Sequence, residues 1–164
     1  MQRLLFSCTV VLTLALLAGC AGSASSGRTS NTYRTTLGSF DQGNIIALAD
    51  DVLLTRYGFR FERTVNTSED IYLETDWKDQ TAFDDEKAEG FAFARTRVIV
   101  TARPRNRTPG IANTYAVTFR AENQVRAVDS IVWEDAPMSP ERLAFIKEIS
   151  DYYKRELQTS DRSL

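Results

Sequence analysis

Residues 91–102 read FAFARTRVIVTA, and this stretch predicts the strand around which the rest of the fold is built. One alternate set of side chains is small or aliphatic, and the other mixes aromatic residues with arginines. Since successive side chains of a strand point to opposite faces of its sheet, the alternation predicts a strand with one buried face. The first set comprises Ala92, Ala94, Thr96, Val98, Val100 and Ala102, and the second Phe91, Phe93, Arg95, Arg97, Ile99 and Thr101.

Two shorter alternating stretches precede this strand and predict a β-hairpin. Residues 59–65 and residues 71–77 alternate between apolar and polar side chains, as strands with one buried face do. The polar residues 66–70 have the composition of a turn, so we expect the two strands to pair antiparallel. Residues 78–90 are rich in acidic side chains and are expected to form a long surface loop.

Two further stretches follow the central strand. Residues 115–120 alternate and predict a fourth strand, and residues 128–133 are apolar enough for a short fifth one. Residues 104–110 contain proline, glycine and arginine, and are expected to form the loop before the fourth strand.

Amphipathic helices are predicted on either side of these strands. Apolar residues recur at helical spacing over 45–57, and Gly58 follows where a helix commonly ends. A longer helix is predicted over 140–157, with Ser139 as its cap. This order favours an α+β domain: an antiparallel sheet of about four strands, with the N-terminal helix and the long C-terminal helix packed on one face.

The start of the chain has the pattern of an export signal. A basic residue precedes an apolar run that ends in Leu17-Ala18-Gly19-Cys20. The run is shorter than the ~20 residues that a membrane-spanning helix needs. Small residues directly before a cysteine resemble the lipobox of bacterial lipoproteins, in which the cysteine becomes the lipidated first residue of the mature chain. We therefore expect a signal peptide over residues 1–19 and a lipid anchor on Cys20.

The chain from Cys20 onward divides into three predicted parts. Residues 20–38 are rich in Ser, Thr, Gly and Asn and are expected to be a flexible tether, with an ordered first strand as the alternative. Residues 39–158 form the predicted domain, and residues 159–164 a loose tail. In the sorting pattern of bacteria with two membranes, Ala21 in place of an aspartate favours the outer membrane, so we expect the protein on its periplasmic face.

The composition argues against several classes of function. The chain has no histidine, and without residues 1–19 its one cysteine is the expected lipid carrier. The commonest general base, the commonest transition-metal ligand and a free thiol are thus missing, so neither catalysis nor a cofactor is expected. The formal net charge is −2, unlike the basic balance of a nucleic-acid-binding protein, so no nucleic-acid partner is expected.

The acidic residues between 74 and 89 leave two alternatives to a plain surface loop. Calcium binds clusters of carboxylates, although the spacing here lacks the EF-hand form. Glu74 and Asp76 could serve glycoside hydrolysis, which needs two carboxylates at a fixed separation. A solvated loop explains the same residues, so no metal site and no catalytic residue is predicted.

Five arginines form the predicted site for an anionic ligand. Two lie on one face of the central strand, and three lie at or near the loop that follows it. Guanidinium forks suit phosphates and carboxylates, and on a membrane-anchored protein they could contact anionic lipid. Pairing with nearby carboxylates or solvent is the alternative. The five are Arg95, Arg97, Arg103, Arg105 and Arg107.

Residues around the predicted hairpin resemble a known group of lipoproteins. A helix that ends in Gly58-Phe59 is followed by a strand, and the next strand carries LETDW at residues 73–77. This order resembles the helix-grip domains of small outer-membrane lipoproteins, among them the C component of the β-barrel assembly machinery. The resemblance implies a helix-grip-like fold and a non-enzymatic accessory role through protein contacts, and it identifies no binding residue.

Two functions follow from these observations. The first is a structural or assembly accessory of the cell envelope, which contacts the membrane through Cys20 and a protein partner through its domain. The second is a lipid or glycan carrier that binds its ligand in a groove between the sheet and the C-terminal helix, with aromatic residues as walls.

Overall fold

The structure is a computed structural model that describes residues 30–105 and 114–161, which form an α+β domain around one antiparallel sheet. The first helix (Gln42–Ala49) continues directly into a π-helical stretch (Asp50–Arg56). The strands are β1 (Thr32–Asp41), β2 (Phe61–Asn66), β3 (Ile71–Thr75), β4 (Lys78–Thr81), β5 (Phe91–Pro104), β6 (Thr114–Ala127) and β7 (Glu134–Asp135), and the helices α1 (Gln42–Ala49), α2 (Asp84–Ala88) and α3 (Pro140–Asp161).

The long strands β5 and β6 form the centre of the sheet. The strand order is β1-β6-β5-β3-β2; in addition, β4 pairs with β5, and β7 pairs with β6. All pairs are antiparallel, as predicted. The sheet therefore has seven strands among the described residues, more than the four or so that the sequence indicated.

One of the additional strands, β1, lies where a flexible tether was predicted. It pairs with β6 along its length, with a bulge after Thr36. Tyr33, Thr35 and Leu37 alternate with polar residues up to the bulge, and the bulge brings Phe40 to the same side of the sheet, so Leu37 and Phe40 are 2% and 5% exposed. The tether prediction is therefore wrong for residues 32–38, and residues 20–29 lie outside the described part of the chain.

The acidic segment 78–90 contains β4 and α2 in place of the predicted loop. Both elements are too short for hydrophobic periodicity to reveal them: β4 has four residues and α2 has five. Glu86 of α2 is buried, and it forms an ion pair with Arg142 of α3. The prediction of a purely solvated loop is therefore wrong.

The end of the chain departs from the prediction in two places. Strand β6 continues to Ala127, residues 128–133 form a turn where a fifth strand was predicted, and the short β7 follows that turn. Helix α3 continues to Asp161, so residues 159–161 are helical where a loose tail was predicted. Polar residues on one face of β6 and at the end of α3 conceal both extensions from a hydrophobicity pattern.

The helices pack on one face of the sheet and form a common core with it. Ile45 of α1 and Ile146 and Tyr153 of α3 are all fully buried, in one cluster with the strands. The predicted cap of α3 is confirmed, because the Arg142 backbone N–H donates to Ser139 Oγ at 3.1 Å. Gly58 follows the π-helical stretch with φ +66°, a conformation that favours glycine, as predicted for the end of the first helix.

The interface between α3 and the sheet is closely packed. Ile146, Ile149, Tyr153 and Leu157 are 0% exposed and share a cluster with residues of β5 and β6. These side chains occupy the space in which the carrier hypothesis places a ligand groove. Along this stretch of the interface, the described residues leave no open groove.

Candidate functional site

The face of the sheet turned away from the helices, which we call the open face, carries a different set of side chains. Neighbouring strands place arginines, threonines and carboxylates side by side along it, in register across β1, β6, β5 and β3. Near its centre is a pocket of about 440 Å³. The pocket is lined by Arg34, Asp70, Tyr72, Ile99, Thr101, Arg103, Ala116, Thr118 and Arg120.

Small side chains in the middle of the open face explain the pocket. Thr36, Thr118 and Thr101 lie opposite one another on β1, β6 and β5, and Ala116 lies two positions before Thr118 on β6. Because threonine and alanine extend only a short distance from the sheet, the longer side chains around them leave a depression. Tyr72, on β3 opposite Thr101, is one of these longer side chains.

The pocket contains an excess of positive charge. Arg34 and Arg120 are direct register partners on β1 and β6, an arrangement in which like charges repel. Arg120 is partly compensated by Glu122, with its Nη2 3.2 Å from Glu122 Oε1. No carboxylate of the described residues lies within ion-pair distance of Arg34.

The third arginine of the pocket, Arg103, is also weakly paired. Its Nε lies 3.9 Å from Asp70 Oδ1, and its side chain is 84% exposed. An exposed pair at this distance is screened by solvent and contributes little to stability. Arg103 is therefore accessible to a ligand from outside.

Arg97, in contrast, is held by two carboxylates. Its Nη1 is 2.9 Å from Glu74 Oε1, and its Nε is 2.7 Å from Glu122 Oε2. Burial lowers the pKa of Arg97, but hydrogen bonding and charge attraction from Glu122 and Glu74 outweigh it, so the pKa is raised overall. The hydroxyl of Tyr72 also donates to Glu74, at 2.9 Å. Glu74 is thus part of an ion-pair network that fixes Arg97.

Beyond the pocket, arginines and aromatic rings alternate in a continuous stack, which we call the arginine–aromatic ladder. Each guanidinium carbon lies 4.5–4.9 Å from the centroid of the next ring, within the range of cation–π attraction. The order is Arg97, Trp77, Arg95, Trp133, Arg126 and Phe93.

Hydrogen bonds and charge add to the ladder at Arg95. Its Nε and Nη2 donate to Gln124 Oε1 at 2.8 and 2.6 Å. Burial lowers the pKa of Arg95, and the nearby guanidiniums of Arg126 and Arg97 lower it further, against the opposing charge of Asp79. These contacts hold the Arg95 guanidinium in the ladder, away from a ligand in the pocket.

The position of Trp77 corrects the alternation predicted for residues 71–77. The sequence pattern placed its side chain on the same face as Leu73 and Thr75, but Trp77 stacks on Arg95 and Arg97 on the open face. Between β3 and β4 the chain leaves the regular strand, and an irregularity of one residue reverses the facing of every later side chain.

The structure separates the five arginines of the predicted anion site. Arg95 and Arg97 lie in the ladder, and Arg103 lines the pocket. Arg105 follows β5, where its backbone N–H donates to Thr114 O at 2.8 Å, and Arg107 lies outside the described residues.

Sequence reasoning missed Arg34 and Arg120 as members of the site. Arg34 falls within the predicted tether, although Tyr33, Thr35 and Leu37 alternate with it in the manner of a strand. Arg120 was recognised only as a polar position of the fourth strand. That the two lie opposite each other depends on the pairing of β1 with β6, which spacing along the chain does not reveal.

Comparisons with known proteins leave the resemblance noted in the sequence as a prediction. No protein-family model matches the chain, and no curated protein matches it in sequence. Within residues 30–105 and 114–161, no group of three or more potential ligand side chains is placed to hold a metal ion. In the same ranges, no helix combines the length and the apolar character needed to cross a membrane.

Proposed function

We propose that the protein is a lipid-anchored lipoprotein of the outer membrane, attached through Cys20, whose domain is a non-enzymatic accessory that binds an acidic segment of an envelope protein. The observation that carries the proposal is the pairing of Arg34 with Arg120 at the edge of the pocket. A carboxylate between these two side chains would replace their repulsion with charge-assisted hydrogen bonds. The site therefore favours a partner that brings negative charge.

The size of the pocket limits what enters it. A volume of about 440 Å³ admits a few side chains or a small ligand. Its polar lining of threonines and arginines suits an extended, acidic peptide segment better than an apolar one. The lipobox-like sequence ending in Cys20 supports the membrane attachment, and the lack of histidine supports a role other than catalysis.

Charge reversal at the pocket tests the proposal. We expect the double variant Arg34→Glu with Arg120→Glu to lose at least about tenfold in partner affinity, because hydrogen bonds to charged groups contribute ~1.5–3 kcal/mol each. The measurement is co-purification of envelope proteins with the full chain after mild crosslinking.

A matched control reverses two charges on the opposite side of the molecule. Lys147→Glu with Arg155→Glu makes the same change in net charge on exposed positions of α3. This variant is expected to retain the partner. Equal loss in both variants, or full retention when the pocket is reversed, would contradict the proposed contact.

An anionic lipid headgroup or glycan is the second candidate ligand. The same three arginines, Arg34, Arg103 and Arg120, could clamp a phosphate or carboxylate group, and the pocket is within the size range of small-ligand sites. Native mass spectrometry of the protein extracted from its own membranes separates the candidates. A retained small anion that is lost on pocket charge reversal would favour this role over a protein contact.

A further inference from the structure

The turn between β6 and β7 exposes three large apolar side chains. Val128, Ile131 and Val132 are 75%, 89% and 61% exposed. Single apolar residues are common on protein surfaces, but three large exposed apolar side chains within five positions of one turn indicate a contact site. We call these three residues the apolar tip.

The structure assigns this tip a partner: we propose that it inserts into the surface of the bilayer that carries the lipid anchor. The inference rests on the proposed attachment through Cys20. It concerns a second, apolar contact that orients the domain on the membrane, separate from the pocket on the open face.

The path of the N-terminal segment supports this assignment. The first residue of β1, Thr32, is paired with Glu122, and β1 is antiparallel to β6. Strand β6 runs towards the tip, so the residues that precede Thr32 also extend towards the tip. Backbone hydrogen bonds from Asn123 to Asn31 O (2.9 Å) and from Met138 to Ser30 O (3.2 Å) hold them there.

Chain lengths place the anchor within reach of the tip. Six residue steps lead from Glu122 to Val128, which at strand spacing is ~20 Å. Ten residue steps separate Cys20 from Ser30, which can span up to ~35 Å when extended. A lipid on Cys20 can therefore lie in the same membrane surface that the apolar tip touches, without strain on the intervening chain.

The turn itself is suited to an interfacial position. Its backbone is held internally, since the Val132 N–H donates to Ser130 Oγ at 3.0 Å and that hydroxyl donates to Val132 O at 3.3 Å. Directly behind it, Trp133 stacks between Arg95 and Arg126. Tryptophan favours the boundary between lipid and water. The stacking of Trp133 in the ladder also holds the end of the turn in a fixed position.

Charge around the tip defines the kind of lipid surface. Asp129, Glu134 and Asp135 are exposed acidic residues next to the apolar side chains. They oppose binding to a strongly anionic surface, so insertion depends on apolar contact with zwitterionic lipid. We therefore expect it to be insensitive to salt, in contrast to an arginine-mediated contact.

Tryptophan quenching tests the insertion. The full chain, produced with its own leader, carries Trp77→Phe so that Trp133 is its one tryptophan, and is reconstituted into vesicles of phosphatidylethanolamine and phosphatidylcholine. With brominated lipids in these vesicles, we expect Trp133 to lose most of its emission. This quenching of Trp133 should disappear in the double variant Ile131→Ser with Val132→Ser. It should persist in the control variant Val65→Ser on β2.

Flotation of the same samples separates the anchor from the tip. Protein that floats with the vesicles but shows no quenching would overturn insertion of the tip and leave the lipid anchor intact. Protein that does not float would overturn both, because the inference rests on the anchor. Quenching that is lost equally in the Val65→Ser control would also overturn the assignment.

Discussion

Replacing Arg142 by alanine is expected to lower the free energy of unfolding by about 3–5 kcal/mol, because it leaves a buried carboxylate without its partner. Arg142 is 0% exposed, and its Nε and Nη2 donate to Glu86 Oε1 and Oε2 at 3.0 and 2.8 Å. Its Nη1 donates to Gln80 Oε1, and its guanidinium lies 4.3 Å from the ring centroid of Phe83. One side chain of α3 thus holds both α2 and β4 in place.

Chemical denaturation of residues 20–164 carrying Cys20→Ser measures this effect. The matched control is Lys87→Ala, which removes the exposed pair between Lys87 Nζ and Asp84 Oδ1 at 2.8 Å. Exposed pairs contribute at most about 1 kcal/mol, so the control should change little. If Arg142→Ala were no more destabilising than Lys87→Ala, the buried network would not hold the fold together.

The combination of Arg142→Met with Glu86→Leu refines this test. Replacing both members of a buried ion pair with apolar side chains removes the cost of the unpaired charge. We therefore expect the double variant to be clearly more stable than Arg142→Ala. A double variant as unstable as the single one would indicate that packing, and not the unpaired carboxylate, causes the loss.

Replacing Tyr153 by alanine is the second large effect, also about 3–5 kcal/mol, because it empties a fully packed site between α3 and α1. Tyr153 is 0% exposed, and its hydroxyl donates to Ile45 O at 2.6 Å. Burial raises its pKa well above the ordinary range, so the hydroxyl stays protonated and keeps donating. Tyr153→Phe keeps the ring and should cost only about 1–2 kcal/mol.

The neighbouring tyrosine provides the control for this prediction. Tyr152 is only partly buried. Its ring makes an edge contact with the ring of Tyr57, with the centroids 6.3 Å apart, and its centroid lies 4.0 Å from the guanidinium carbon of Arg56. Tyr152→Ala should therefore cost about 1 kcal/mol, the usual value of such contacts at a surface. The same denaturation measurement applies, and equal losses at the two positions would contradict the described packing of α3.

The elements that the sequence predicted well are those with a strong apolar period. Strand β5 alternates from Phe93 to Arg103, after a register shift at its start, and α3 combines an apolar stripe with a serine cap that the structure confirms. Where hydrophobic contrast was weak, the prediction failed. The sequence predicts a tether where β1 lies, because threonine and arginine occupy many of its positions.

The candidate site was harder to predict than the fold, because it depends on strand pairing. The arginine cluster near β5 is visible along the chain, but the like-charged pair of the pocket, Arg34 with Arg120, joins positions 86 residues apart through the register of β1 and β6. The ladder likewise requires Trp77 to change faces between β3 and β4. A local irregularity of this kind leaves no signal in the alternation of the flanking residues.

Site-specific photo-crosslinking in intact cells tests whether the open face is the contact surface of a membrane-anchored domain. A photoreactive residue replaces Thr118 on the floor of the pocket, and the control position is Lys147 on the outer side of α3. We expect one defined protein adduct from position 118 that disappears when Arg34 and Arg120 are changed to glutamate, and none from position 147. An adduct from position 147 alone, or no adduct from position 118, would contradict it.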